Sequence, residues 1–293
     1  MTLPRPLAEP RSTLLGNGMR VRYRVQGEGD PVLLLHGIGC SLEDFDEQVE
    51  LLSGRYRCWA VDLAGFGGSD PMPVPGTVGR LGAFVAAFTD AVGLDVPAHV
   101  VGNSLGGAVA LRFTADHPGR VRTLTLADPA GFGRDVTVAL RAITVPFLAR
   151  RLLEPSAESA RRTLRAVFHD GDLVTAERVA LAERLSRRPH AARVMHETAR
   201  SLGTPFGVRR RWRRELLRAA AANPVPTLVV WGEQDEILPA THLHAARRAL
   251  PHARTHLFAA TGHMPQIERA GEFADLVQQF WTETTTSRPG ENP

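Results

Sequence analysis

The segment Gly102-Asn103-Ser104-Leu105-Gly106 sets a serine between two glycines at G-x-S-x-G spacing. It follows the apolar run His99-Val100-Val101 and opens the helical run Gly106-Gly107-Ala108-Val109-Ala110-Leu111. A sharp strand-to-helix turn would lift Ser104 above a sheet, and small residues two before and two after it avoid steric clash there. Gly107 extends the small-residue run. At the start of a helix the hydroxyl would also sit where the backbone dipole favours developing negative charge. The chemistry this spacing suits is nucleophilic attack by Ser104.

A serine hydroxyl is a poor nucleophile without a base, and the base needs an acid to orient it. Eleven histidines are available. His263, in Thr261-Gly262-His263-Met264-Pro265, falls in a loop beyond an expected strand at 255–260 and is the candidate base. His242, His244 and His252 flank or lie on an expected surface helix, while His169, His190 and His196 belong to a long helical stretch. The acid should follow an earlier strand, and Asp235 in Trp231-Gly232-Glu233-Gln234-Asp235-Glu236 meets that requirement. Asp128 also ends an expected strand and could reach the same histidine, but loop position favours Asp235. Glu233 and Glu236 read as solvated loop charges. An oxyanion formed on attack needs preorganised N–H donors. Leu105 supplies one backbone amide, and the loop His36-Gly37-Ile38-Gly39 offers Ile38 as the second. His36 reads as an organiser of that loop through hydrogen bonding.

These groups must be carried by strands that end together. The runs PVLLLHG, CWAVDL, HVVGNS and TLTLAD are short and continuously apolar, as strands buried on both faces of a parallel sheet are. Helical stretches lie between them at about 43–53, 78–93 and 104–117, and the alternation predicts an open, mostly parallel α/β sheet. Two short strands around Gly16-Asn17-Gly18 precede it, the second alternating Val21, Tyr23 and Val25 with arginines in the manner of a half-buried antiparallel strand. From about 135 to 222 the alternation gives way to Ala, Leu and Arg at helical spacing, an all-helical insert. It resumes with TLVVWG, a helix at 241–250, THLFAA and a last helix at 271–283. The polar tail 284–293 is expected to be disordered.

The chain has 293 residues, 43% hydrophobic and 23% charged, enough for a sizeable core. Its 35 basic residues are all arginines and its net charge is +4, too modest to imply nucleic-acid binding. The charge is uneven: residues 141–222 carry 18 arginines against 8 acids, and the remainder 17 against 23. That contrast marks the insert as a separate unit. The run Arg209-Arg210-Arg211-Trp212-Arg213-Arg214 admits two readings, solvated helix faces in a lysine-free protein or an attractor of anionic substrates or surfaces. Trp212 reads as a packing anchor between insert and core. Cys58 lies in an apolar run and Cys40 in the loop beside the candidate site, so a disulfide framework is not expected. No stretch approaches the roughly 18 to 20 apolar residues of a membrane span. The first residues lack the apolar segment of a secretory signal, so a cytoplasmic location is expected.

Taken in order, HGIG at 36–39, DLAGFGGSD at 62–70, GNSLGG at 102–107, WGEQDEILP at 231–239 and TGHMPQIE at 261–268 resemble the α/β-hydrolase superfamily with a helical cap. The resemblance spans about residues 12–283. It implies a core at 1–132 and 223–283, a lid at 133–222 over the site, and a structural role for Asp62 in holding a loop beside it. A serine at 104 argues against the relatives that use an aspartate nucleophile, the haloalkane dehalogenases and epoxide hydrolases. Carboxylesterases and C–C bond hydrolases of aromatic-ring degradation remain. The latter commonly place Trp after the histidine, where this chain has Met264, and they recognise an acidic substrate partly through a cap arginine. The expectation is an ester hydrolase acting on a small or medium acyl substrate, with a C–C hydrolase, an acyltransferase or perhydrolase, and a hydrolase-derived ligand-binding protein as alternatives. A small molecule is the expected partner, with no metal or organic cofactor required, and homodimer formation is left open.

Overall fold

The computed structural model describes residues 6–286. β1 (Arg11–Leu14) and β2 (Arg20–Gln26) form an antiparallel hairpin, turned through Gly18 at φ 80°. β3 (Asp30–Leu35) then leads through a 3-10 turn at Leu42–Phe45 into α1 (Asp46–Leu52), so the helix expected from 43 begins in a tighter turn. The alternation continues with β4 (Tyr56–Val61), α2 (Val78–Ala91), β5 (Ala98–Asn103), α3 (Leu105–Asp116) and β6 (Val121–Ala127). After β6 come α4 (Val138–Ala142), α5 (Pro146–Leu152), α6 (Ala157–Val167), α7 (Ala176–Ser186) and α8 (Ala191–Leu202). A short antiparallel pair, β7 (Gly203–Thr204) and β8 (Gly207–Val208), precedes α9 (Arg210–Ala222). The chain returns to the sheet with β9 (Thr227–Gly232), α10 (His242–Ala249) and β10 (Arg254–Phe258), then closes with α11 (Pro265–Glu268) and α12 (Ala270–Thr286).

The main sheet has the order β1-β2-β4-β3-β5-β6-β9-β10. Only the first two pairings are antiparallel; from β4 to β10 every neighbour is parallel. Both faces are covered, which is why the strands read as unbroken apolar runs. Leu33, Leu35 and Val100 point into a core shared with Phe84, Phe88 and Phe113 of α2 and α3. Val32, Leu34 and Val101 face the other way, onto Phe45, Phe273, Val277 and Trp281. Each such fully buried side chain contributes roughly 1.5–3 kcal/mol. Strand ends on the carboxyl side of β3, β5, β6 and β9 therefore lie together on one edge, where loops can converge.

The segment between β6 and β9 is helical, as its periodicity predicts, with one exception. The all-helical expectation missed β7 and β8, two residues each around the Pro205-Phe206 turn. Gly207 at φ 111° lets the chain reverse, and a pairing so short leaves no period to read. α6 and α7 start at side-chain caps, Ser156 accepting from Ser159 N and Thr175 from Arg178 N. The first three residues of the expected tail, 284–286, are helical. α12 runs to Thr286, with Thr284 Oγ1 donating to the Phe280 carbonyl at 3.0 Å; the remaining tail, 287–293, lies outside the described residues. No described helix is long and apolar enough to cross a membrane.

Candidate active site

Ser104 stands between the end of β5 and the first turn of α3, with φ 55° and ψ −115°. That conformation is strained for any residue with a Cβ, and it is held from both sides. Ser104 N donates to Ala127 O at 2.9 Å, and Ser104 O accepts from Ala130 N at 3.0 Å and Ala108 N at 3.2 Å. Its side chain makes no cap bond to α3, so the hydroxyl is not spent on the helix. The flanking glycines have a direct steric reason. A Cβ on Gly102 would lie 2.3 Å from Gly106 O, and one on Gly106 would lie 2.0 Å from Leu35 O. The first turn of α3 rests on the ends of β3 and β5 with no room for a methyl group.

His263 and Asp235 are brought together. His263 Nδ1 lies 2.7 Å from Asp235 Oδ2, and both side chains are buried. The other Asp235 oxygen, Oδ1, accepts from Ile237 N at 2.8 Å and Leu238 N at 2.9 Å, which fixes the carboxylate plane. With Nδ1 facing a carboxylate, the free nitrogen of the ring is Nε2, the tautomer a general base requires. Asp128 lies beside the pair, and one ligand-type atom from each of Asp128, Asp235 and His263 falls within 4.8 Å of the others. Those are donor types a cation could use. The 2.7 Å contact between His263 and Asp235 is nevertheless a hydrogen bond. Two ligands on one tetrahedral ion with bonds near 2.1 Å would stand about 3.4 Å apart.

The loop after β3 is built around two buried side chains. His36 Nε2 accepts from Leu63 N at 3.0 Å, which leaves the proton on Nδ1, 2.7 Å from Gly37 O. Burial holds the His36 pKa below its usual value, so the ring is a neutral brace. Asp62 accepts from Leu42 N at 2.7 Å, Gly68 N at 2.6 Å and Arg22 Nη1 at 2.9 Å, tying three segments together. A Cβ on Gly37 would sit 3.3 Å from Ser104 Cβ, so this loop passes directly over the serine. Ile38 and Leu105, the two residues expected to present amides, line one cavity with Ser104. Leu105 N is the first amide of α3 and has no acceptor within the helix. Cys40 and Cys58 are both free.

That cavity, of about 60 Å³, is walled mostly by apolar side chains, among them Val136, Leu140, Leu202 and Leu238. Trp212 lines it as well, donating its indole N–H to Leu202 O at 2.7 Å and packing against Gly131. Arg141 and Thr144 of the inserted segment are its polar contributors, together with Thr204. The arginines of the run 209–214 fall elsewhere. Arg134, Arg209, Arg210, Arg213 and Arg214 border a separate cleft that shares only Thr204 and Val208 with the cavity.

Several residues that hold the site carry no motif. Asn103, the variable position before Ser104, donates to His263 O at 3.0 Å and Ala127 O at 3.2 Å. Glu268 accepts from Gly262 N at 2.8 Å and from His169 N at 2.8 Å, joining the histidine loop to the inserted segment. His263 N adds a bond to Val167 O at 2.8 Å. Glu268 stands in the quoted TGHMPQIE stretch, but nothing in that pattern announces its partners. His242, expected on a surface helix, is instead buried at the start of α10 against Trp231 and Gly133.

Comparison with known proteins gives the family of the fold. The family model described as alpha/beta hydrolase fold matches residues 30–270. The chain is 35% identical to the dihydrolipoyllysine-residue acetyltransferase component of the acetoin cleaving system of Cupriavidus necator, over 90% of this chain and 67% of that protein. It is 31% identical to 2-hydroxymuconate semialdehyde hydrolase of Pseudomonas putida, over 97% of this chain and 98% of that protein. Among solved structures, a meta-cleavage product hydrolase from Pseudomonas fluorescens superposes with a TM-score of 0.80 at 28% identity, covering 94% of this chain and 98% of that one. With a buried parallel sheet that ends in a serine turn, a histidine loop and an acid loop, and with the family model spanning most of its length, the chain belongs to the alpha/beta hydrolase fold family.

Proposed function

We propose that the chain is a serine hydrolase that cleaves an ester of a small or medium acyl group through an acyl-enzyme on Ser104. The observation that carries this reading is the cavity. One small, largely apolar space is bordered by Ser104 and by the residues bearing both proposed oxyanion amides, Ile38 and Leu105. A cavity near 60 Å³ leaves room beside Ser104 for a short acyl chain. In the reaction, His263 Nε2 takes the Ser104 proton as Oγ attacks the carbonyl carbon. Asp235 holds the imidazole through Nδ1 and stabilises the imidazolium. The Ile38 and Leu105 amides receive the oxyanion, and His263 then protonates the leaving alcohol. Water attacks the acyl-enzyme by the same route, returning the free acid and Ser104. Residues 133–222 act as a lid whose side chains select the acyl group.

A second reading, cleavage of a C–C bond beside a ketone in a ring-cleavage-type diketo acid, is favoured by one feature. Arg141 lines the same cavity and could pair with a substrate carboxylate. The relative from Pseudomonas putida is by name a 2-hydroxymuconate semialdehyde hydrolase, and the structural neighbour from Pseudomonas fluorescens a meta-cleavage product hydrolase. The test has two stages. A fluorophosphonate probe should add one adduct mass to wild type and none to Ser104→Ala; no adduct on folded wild type sinks both readings. A panel of p-nitrophenyl esters graded by acyl length, run beside a 2-hydroxy-6-oxo-dienoate, then decides between them. Turnover of short esters with an inert dienoate supports the ester reading, and the reverse result replaces it with the C–C reading.

A further inference from the structure

Asp128 is a completely buried carboxyl that the mechanism above does not use. It ends β6 with φ 46°, a left-handed conformation unusual outside glycine, held by its own N–H donating to Val230 O at 3.0 Å. Its Oδ1 accepts from Gly232 N at 2.8 Å. Its Oδ2 is sealed from solvent with no donor to accept from. An ionised oxygen left in that state would be costly.

The neighbouring carboxyl is Asp235, with an oxygen of each within 4.8 Å of the other. Two carboxylates cannot bond to each other, since both are acceptors, and side by side in a buried site both cannot stay ionised. One proton must be shared. The donor count says where it rests. Asp235 already receives three, from Ile237 N, Leu238 N and His263 Nδ1. Asp128 receives one, from Gly232 N. The negative charge belongs where the donors are, on Asp235. We infer that Asp128 is held as the neutral acid and that its Oδ2–H donates to the Asp235 carboxylate, making it a positioning residue for the Asp235–His263 pair. The orphan oxygen then becomes a donor with a partner, and Asp235 gains a fourth hydrogen bond that fixes the oxygen facing the imidazole. Burial first, and the adjacent Asp235 charge second, push the Asp128 carboxyl well above the usual carboxylate range, in the same direction.

The inference rests on Asp235 and His263 as the acid and base proposed above, so its test must separate the two. The rate of fluorophosphonate labelling at Ser104, followed by intact mass across pH, reads the basicity of His263 without any assumption about substrate. Asp128→Asn preserves both hydrogen bonds, its amide oxygen accepting from Gly232 N and its –NH2 donating to Asp235. It should slow labelling by less than about tenfold and leave the acid limb within a few tenths of a pH unit of wild type. Asp128→Ala, which loses the donor, should slow labelling by a further order of magnitude or more, with thermal melts confirming that each variant is folded. If Asp128 instead carries a charge, Asp128→Asn removes an anion within 4.8 Å of His263. The acid limb would then fall by more than about one pH unit. That shift, or a loss in Asp128→Asn equal to that in Asp235→Asn, overturns the inference. Failure of the underlying reading looks different: Asp235→Asn or His263→Ala would label as fast as wild type.

Discussion

Ser104 shows at the scale of one residue how stability is traded for geometry. At φ 55° and ψ −115° its Cβ is forced into a sparsely allowed region, at a cost of about 1–3 kcal/mol. The turn persists because Ser104 N and O are bonded to Ala127, Ala130 and Ala108, and because Gly102 and Gly106 let β5 and α3 meet backbone to backbone. Glycine tolerates the same torsions without a Cβ, at about 0.5–1 kcal/mol of extra chain entropy. Ser104→Gly should therefore be inert to the fluorophosphonate probe yet melt about 2–4 °C above Ser104→Ala, which keeps the Cβ and the strain. Differential scanning calorimetry of the two inert variants checks this. Equal Tm values would mean the turn stores no strain worth releasing.

At the scale of elements, what could be read in advance follows from where each signal lives. The strands of the parallel sheet were legible because burial on both faces writes itself as a local apolar run, as in Val32 to Leu35. Ser104, Asp235 and His263 stand out as candidates because each sits in a loop with its own local pattern, and only the fold shows Asp235 and His263 meeting. The ties between loops were not. Asn103 reaches His263 across 160 positions, and Gln48 reaches Gln266 across 218, and no window along the chain contains both partners. Glu268 is the most consequential of these. It gathers Gly262 N, His169 N and Asp170 N, so the histidine loop and the start of the segment after α6 share one carboxylate. Removing it leaves those amides without their acceptor and frees both loops at once. Glu268→Ala should lower kcat/KM by about tenfold or more and expose the stretch near 167–173 to limited proteolysis. Glu268→Gln, which keeps one acceptor oxygen, should fall between. Equal proteolysis of Ala and wild-type proteins would show that the shared carboxylate does not couple the two loops.

For the molecule as a whole, charge is the property that varies most from one part to another. The surplus of arginine over acid in 141–222 is set against an acidic remainder. Some of that charge is neutralised in place: Arg178 pairs with Glu47 of α1, and Arg187, Arg193 and Arg211 pair with acids four residues away along the chain. The cleft lined by Arg134, Arg209, Arg210, Arg213 and Arg214 is different, because no ion pair among the described residues involves any of the five. Arg213 is partly tied down, donating to Gly131 O at 3.0 Å and Phe132 O at 2.9 Å, and burial lowers its pKa. Arg134 Nε likewise donates to Phe206 O at 2.9 Å and Arg209 Nε to Arg200 O at 3.1 Å, and together the five project a positive field at a cleft that shares Thr204 and Val208 with the cavity at Ser104. A field of this kind raises encounter rates for anions and decays over about 10 Å at 0.1 M salt and about 3 Å at 1 M. For a carboxylate-bearing ester, kcat/KM should therefore fall severalfold between low and high salt, while a neutral ester of matched size changes little. The paired variant Arg210→Gln with Arg214→Gln, both exposed and neither in an ion pair among the described residues, should flatten that salt dependence and leave the neutral ester unaffected. Parallel salt profiles for the two esters in wild type would assign these arginines to the solvated face of α9, with no part in drawing substrate to Ser104.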